Sequence, residues 1–467
     1  MPTVTKSRTT VTWVLGITLA GLIFDGYDLV VYGAVMPALR RPGGLIFESL
    51  TPAQQEALTA SAGVEPGQLT DAMREAIAAA STLGGALGSY ALFGMLIGAL
   101  ATGFVGDRIG RRIPMLVSLA WLSIGMGLTA MAPTAAVLGV LRFLTGLGIG
   151  ALVATTAAVV SEFAPRGRKN LANAVVYSGV PLGSTLAALA AILWLDGIGW
   201  RGLFWIGTLP LVTLLPLAWW KLPESVAWLW ARGRHDDARR VAERTGIPVP
   251  DDPMWPQANP TRGGFRGLFA PRFWFATLTL GLLSATGLLM VYSLNTWLPQ
   301  LTKPLLGERS ALALLLAINL GAVVGGLAGS TLADRFGPRR VIAAFFAVGA
   351  AGILLATTTA TPNLAGLMIA VIGVVGMGTS GTQTLIYGFV ANYYPTTSRA
   401  AATAWCAGFG RLGGVAGPIV GGLLAATFPG NLAAVFLVLA GICLCGVVFA
   451  LLVPTRADAG AGDQGTR

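Results

Sequence analysis

The chain has 467 residues, of which 54% are hydrophobic and only 11% charged, where soluble domains carry about 25% charge. So few charges cannot cover the surface of a soluble protein this long, which excludes an ordinary soluble enzyme. The net charge of +11 would suit a nucleic-acid binder, but its placement along the chain gives a membrane explanation instead.

A membrane-crossing helix takes about 20 apolar residues. Twelve stretches qualify: 12–38, 84–105, 113–132, 135–161, 171–194, 201–220, 272–299, 310–333, 340–360, 363–391, 400–427 and 431–453. Lys6 and Arg8 ahead of the first imitate a signal peptide, but no small-residue cleavage site follows a short apolar core. It therefore reads as a retained span. Within it lies LIFDGYD, with Asp25 and Asp28. A carboxylate at the centre of a membrane helix costs about 2.5–3.5 kcal/mol on insertion scales, so two of them demand a reason.

Residues 39–83 form a long outer loop with helix signals of its own. TPAQQEAL (51–58) offers Thr51 as a cap, Pro52 at the first helical position and Gln54 three after the cap. Thr70 caps a second helical run over 70–80 that leads toward the second span. A polar stretch divides the spans into two sets of six. The expected domains are 1–220, a linker over 221–271, a second six-helix half over 272–453 and a tail over 454–467.

Charge placement sets the orientation. If both termini are cytoplasmic, only Arg40, Arg41, Arg74, Arg201, Lys303 and Arg309 of the 31 Lys and Arg fall outside, and Arg142 and Arg411 fall within spans. That is a strong positive-inside bias. Trp194, Trp200 and Trp297 near outer span ends, and Trp219, Trp220 and Trp274 near inner ones, suit aromatic belts.

The halves repeat. GFVGDRIGRR (103–112) joins spans two and three, and STLADRFGPRR (330–340) joins spans eight and nine, with Asp107 and Asp334 227 positions apart. EFAP (162–165) matches NYYP (392–395) at an offset of 230. Duplicated halves of this kind place a substrate site near the midplane. The charges inside the spans are not duplicated. The counterpart of DGYD falls near SATG (284–287), that of Arg142 near 369–371 and that of Arg411 near 181–184, all uncharged. They are exceptions to the scaffold, as substrate or proton sites are.

At 1.5 Å per residue, Asp25 sits roughly 20 Å from the inner face, Arg142 roughly 10 Å from the outer face and Arg411 roughly 17 Å from the inner face. Asp25 is thus level with Arg142, which leaves Asp28 as the freer proton carrier. Asp25 and Asp28 share a helix face. Two adjacent carboxylates resist a second negative charge, which suits proton uptake, while arginine stays charged and can bind a carboxylate bidentately. The bland alternative is an Asp25–Arg142 pair that only holds helices together. Asn319, Gln383, Tyr177 and Tyr387 are polar span residues that pack helices or face the pocket, and Tyr27, Phe93 and Trp405 are candidates for its aromatic wall.

Twelve spans in two halves, with G-x-x-x-D-R-x-G-R-R between spans two and three, resemble the major facilitator superfamily. Within it, DGYD, GALGSYALFGMLIGA (85–99), RFLTGLGIG (142–150) and GFGRLGGVAGP (408–418) resemble the aromatic acid:proton symporters. The resemblance implies import of benzoate, hydroxybenzoates, protocatechuate or related ring acids with protons. It also implies that Asp25 and Asp28, and the loop residues Asp107, Arg108, Arg111 and Arg112, are required. Departures are Ser330 where the first motif has Gly103, Asn392 where the first half has Glu162, and a longer outer loop. LPESVAWL (222–229) is also similar to a turn of sugar carriers, and GGVAGPIVGG (413–422) to an antiporter motif that belongs in span five rather than eleven.

The expectation is an all-α, twelve-helix symporter in the bacterial cell membrane, working as a monomer on a small aromatic acid and protons. Asp25 and Asp28 couple protons, and Arg142 and Arg411 bind substrate. A cytoplasmic latch comprises Gly103, Asp107, Arg108, Arg111, Arg112, Glu162, Asp334, Arg335, Arg339 and Arg340. Shikimate, a dicarboxylate or another organic anion are alternative substrates, and efflux or a sensor of aromatic acids are alternative roles. Cys406, Cys443 and Cys445 lie in apolar segments, His235 lies in the linker, and no nucleotide loop is present. No enzyme chemistry, metal, cofactor or nucleic-acid partner is therefore expected.

Overall fold

The computed structural model describes residues 3–164, 169–249, 267–394 and 396–454, without the side chains of 3–8, 103–107, 169–171, 174, 396–397 and 399–400. Every long element described is helical, as apolar segments in lipid must be to satisfy their own backbone groups. In chain order they are α1 Thr3–Leu39, α2 Leu45–Glu48, α3 Pro52–Ala60, α4 Asp71–Ile109, α5 Arg112–Ala130, α6 Ala135–Phe163, α7 Lys169–Tyr177, α8 Gly179–Ile206, α9 Leu209–Val212 and α10 Leu214–Lys221. Then follow α11 Val226–Ala231, α12 His235–Thr245, α13 Trp274–Leu306, α14 Glu308–Phe336, α15 Pro338–Thr359, α16 Ala365–Gly378, α17 Ser380–Tyr393, α18 Thr396–Thr427 and α19 Leu432–Leu452.

Among the described residues, eleven helical stretches are long and apolar enough to cross a membrane. The sixth expected span is the one left out, because it is broken. Gly199 leaves helical geometry at φ 66°, ψ −177°, so α8 is two helices meeting at a kink. From Trp200 the chain continues through α9 and α10 with a distorted step at Thr213, at φ −110°, ψ −65°. The tenth span is divided in the same way at Thr379, between α16 and α17.

The helix ends follow the local chemistry read from the sequence. Thr51 accepts from the Gln54 N–H at 3.3 Å and the Gln54 side chain accepts from the Thr51 N–H at 3.2 Å, a reciprocal cap for α3. Thr70 Oγ1 accepts from Met73 N at 3.3 Å, and the helix it opens runs unbroken into the second span as α4. The polar linker holds α12, where Asp237 receives Arg234 Nε at 2.7 Å and also pairs with Arg240. These guanidinium partners hold its carboxyl below the usual carboxylate range.

Two compact units emerge from the packing. One takes α1 up to Val31 and the chain from Tyr90 through α12. The other takes Tyr32–Ser89 together with α13 to α19. In the second unit, the outer loop is built into the packing. Ser89 Oγ donates to the Val415 carbonyl at 2.7 Å, Arg41 pairs with Glu308, and Arg40 donates to Ser81 Oγ at 2.8 Å while its guanidinium lies 6.0 Å from the Trp297 ring. Trp297 is 1% exposed and its Nε1 donates to the Pro418 carbonyl at 2.9 Å. It is therefore a packing residue rather than a belt residue, and Trp200 is buried as well, whereas Trp194, Trp219, Trp220 and Trp274 are exposed as a belt requires.

The repeat seen in sequence recurs as contact geometry. In the first unit, an added Cβ on Gly94 or Gly98 would stand 2.1 or 2.0 Å from a carbonyl oxygen of α6, and one on Gly146 would stand 2.0 Å from a carbonyl of α4. In the second unit, Gly321 and Gly376 do the same between α14 and α16, each at 1.9 Å. Gly94 and Gly321 are 227 positions apart, and Gly146 and Gly376 are 230 apart, the offsets of the sequence repeat. Small residues let these helix backbones touch in lipid, where no other driving force brings them so close.

Candidate functional site

The DGYD stretch is positioned by its glycine. A Cβ on Gly26 would stand 1.9 Å from the Val180 carbonyl oxygen, and one on Gly183 would stand 1.7 Å from the Ile23 carbonyl oxygen. So α1 and α8 touch backbone to backbone beside the two acids. Ser184 Oγ donates to the Gly26 carbonyl at 3.2 Å, and Tyr27 Oη donates to the Leu203 carbonyl at 2.9 Å. The four residues of the motif therefore divide the work: Gly26 and Tyr27 fix the helix, and Asp25 and Asp28 place carboxyl groups at buried positions.

Arg142 Nη1 donates to Asp28 Oδ1 at 2.7 Å, and both side chains are essentially sealed, at 2% and 1% exposure. The other carboxylate oxygen, Asp28 Oδ2, is buried and accepts no hydrogen bond among the described residues. The Arg142 guanidinium also lies 5.9 Å from the Phe204 ring. This corrects the depth estimate, which put Arg142 level with Asp25. Helical side chains lean toward their own N-terminus. Arg142, about two turns into α6, leans toward Ala135, and α6 runs opposite to α1, so its reach is toward Leu39 and Asp28. Asp28 is thus the carboxylate that Arg142 holds at 2.7 Å.

Arg411 lies on α18 in the second unit and is half-buried. Tyr387 on α17 lies within hydrogen-bond reach of Gln383 and Ser284 and within electrostatic reach of Arg411. Gln383 Nε2 donates to Ser284 Oγ at 3.0 Å, and Asn319 Nδ2 donates to Asn295 Oδ1 at 2.8 Å, so both polar span residues bridge helices. Trp405 donates to the Thr277 carbonyl at 2.9 Å and its ring lies 5.1 Å from Phe409. Phe93 is largely exposed and pairs with Phe143 at 6.0 Å.

At the opposite end of the first unit, Arg111 Nε donates to Glu162 Oε1 at 3.1 Å. A second acid, Glu224 from LPESVAWL, completes this cluster. Its Oε1 accepts from Arg111 N at 2.7 Å and from Arg112 N at 3.3 Å, so its carboxylate closes the N-terminus of α5. Arg112 Nη2 reaches the Trp219 carbonyl at 2.5 Å, and Arg232 Nη2 reaches the Arg108 carbonyl at 2.6 Å. Gly110 turns the chain at φ 91°, and a Cβ there would meet the Glu224 carboxylate at 2.4 Å. Glu224 was missed from sequence because it lies far along the chain; the signal available was a lone acid just after the sixth span. Gly103 and Asp107 lie on α4, in the stretch 103–107 whose side chains are outside those described.

The second unit keeps the turn but not the acid. Gly337, 227 positions after Gly110, has φ 85° and, among the described residues, nothing within 4 Å of its Cβ position. Pro454 stands 230 positions after Glu224. Here a cavity of about 580 Å³ is lined by Gly337, Arg339, Arg340, Tyr393 and Pro454 among others. Arg339 donates to the Leu451 carbonyl, Arg335 lies 5.2 Å from the Phe336 ring, and Asp334 is exposed.

The sequence matches the Major Facilitator Superfamily model over residues 30–331 and 307–466. The chain belongs to this superfamily. The transporter is 35% identical over 409 residues to the gentisate transporter of Corynebacterium glutamicum, covering 87% of this chain and 79% of that one. It is 30% identical to the gallate transporter of Pseudomonas putida, covering 86% and 82%, and 28% identical to the benzoate transport protein of Acinetobacter baylyi, covering 86% and 81%. The crystal structure of a D-xylose–proton symporter matches with a TM-score of 0.69 at 18% identity over 96% of this chain and 99% of that one, a likeness of fold. The protein is therefore a multi-pass membrane transporter and not an enzyme.

Proposed function

We propose that this transporter imports a small aromatic carboxylate together with a proton. The observation that carries the reading is the sealed Asp28–Arg142 pair, with Asp25 one turn away on the same helix. Its relatives, named for gentisate, gallate and benzoate, supply the substrate class.

The pair suggests a charge exchange. With Asp28 ionised, the Arg142 guanidinium is neutralised from within the protein. A proton on Asp28 removes that compensation, and a buried guanidinium then favours a substrate carboxylate in its place. Proton and anion thus enter together with no change in net charge at the site. By linkage, each raises the affinity for the other. Arg411 provides a second cation for the carboxylate, and Asp25 tunes or relays the proton. The loop clusters around Arg111, Glu162 and Glu224, and around Asp334, Arg335, Arg339 and Arg340, act as cytoplasmic latches with both termini on that side.

Uptake of labelled benzoate, 4-hydroxybenzoate and gentisate by cells expressing the protein tests this. Accumulation above the external concentration that collapses with a protonophore is expected. Accumulation indifferent to the protonophore would overturn the proton coupling, and binding without accumulation would overturn transport of these acids.

A further inference from the structure

Ser284 fixes the orientation of a buried amide. Its hydroxyl has one proton, which it donates to the Cys406 carbonyl at 2.9 Å. Toward Gln383 it can therefore only accept, and Gln383 Nε2 donates to it at 3.0 Å. That leaves Gln383 Oε1 facing the other way. This oxygen is buried and accepts no hydrogen bond among the described residues. The face it turns to on α13 is Gly287, where an added Cβ would stand 2.4 Å from Oε1. A side chain at position 287 could not be added without displacing the oxygen.

The cluster also has the other features a ring acid needs. Arg411, one helix turn and more from Cys406 on α18, supplies a cation, and Tyr387, one turn after Gln383, lies within electrostatic reach of both. The Trp405 and Phe409 rings on the same helix lie 5.1 Å apart. An acceptor and a cation grouped around one tyrosine complement a molecule that carries a donor and a carboxylate.

We propose that Gln383 is the residue that reads a ring hydroxyl, so that the substrates favoured are hydroxylated aromatic acids over benzoate. This rests on the proposed import of aromatic carboxylates and narrows it. Arg411 takes the carboxylate, and Gln383 Oε1 accepts from the phenol. An unsatisfied buried acceptor discriminates strongly, because a substrate without the donor leaves it unsatisfied. The same amide could not do this if it were free to rotate, which is the part played by Ser284.

The test is competitive uptake of 4-hydroxybenzoate, gentisate and benzoate by wild type, Gln383→Leu and Ser284→Ala, with thermal stability of each purified variant measured alongside. Wild type is expected to favour the hydroxylated acids by tenfold or more in half-saturation. Gln383→Leu is expected to raise half-saturation for the hydroxylated acids about tenfold more than for benzoate, so that the preference is lost. Ser284→Ala, which keeps the amide but frees it, is expected to lose part of the preference. A purely structural role would lower the maximal rate for all three acids alike and leave the preference intact, and that result overturns the assignment. So does a wild type without preference. Wild type that takes up none of the three overturns the transport reading as well, which separates the two failures.

Discussion

Asp28→Asn isolates the charge of the buried pair. Asparagine keeps the shape and an acceptor at the Oδ1 position, 2.7 Å from Arg142 Nη1, but removes the negative charge. Breaking a buried ion pair by losing one partner costs about 3–5 kcal/mol, and a retained hydrogen bond to a charged donor gives back about 1.5–3 kcal/mol. The variant should therefore be destabilised by about 2 kcal/mol. Removing the stranded cation as well should restore stability, so Asp28→Asn with Arg142→Gln should melt higher than Asp28→Asn alone. Simple additivity of the two single effects would show that the pair is not energetically coupled. The functional readout separates coupling from translocation. A carrier whose acid is permanently neutral can still exchange substrate across the membrane, but it cannot use the proton gradient. Reconstituted Asp28→Asn should retain counterflow of a labelled acid and lose accumulation driven by an imposed pH gradient. Wild-type accumulation by this variant would refute the charge-exchange mechanism.

Three further outcomes follow from contacts already described. Gly26→Ala places a methyl group 1.9 Å from the Val180 carbonyl, so α1 and α8 must separate; expression and monodispersity by size-exclusion chromatography should fall sharply, and a fully folded, active variant would argue against the close contact. Glu224→Ala removes the carboxylate that closes the start of α5, and a thermal melt should show a loss of about 1 kcal/mol, the range of a helix cap. Arg111→Gln breaks a pair with Glu162 in which both side chains are about a quarter exposed. Its stability cost should stay under about 1 kcal/mol, so a large drop in transport rate measured at equal surface expression would point to a latch, and an unchanged rate would exclude one.

Composition and span lengths were enough to read the bundle, since a helix is what an apolar segment of that length must form in lipid. The repeat was legible too, because the loop between α4 and α5 and that between α14 and α15 share their glycine turn at a fixed offset. The sixth span was harder to place. Its apolar run gives no sign that Gly199 and Thr213 interrupt it. The partner of Arg142 was misjudged by one turn, because a rise per residue locates Cα atoms and says nothing of where a seven-atom side chain leans. Glu224 and the Ser284–Gln383 amide were invisible for a different reason: each joins segments about a hundred positions apart.

Asp28 stands two residues after Gly26, whose Cβ position is already occupied by the Val180 carbonyl of α8. A helix pinned backbone to backbone at that point cannot roll its acid away from Arg142 without parting from α8. The register of the ion pair is therefore set by a residue that carries neither charge nor side chain.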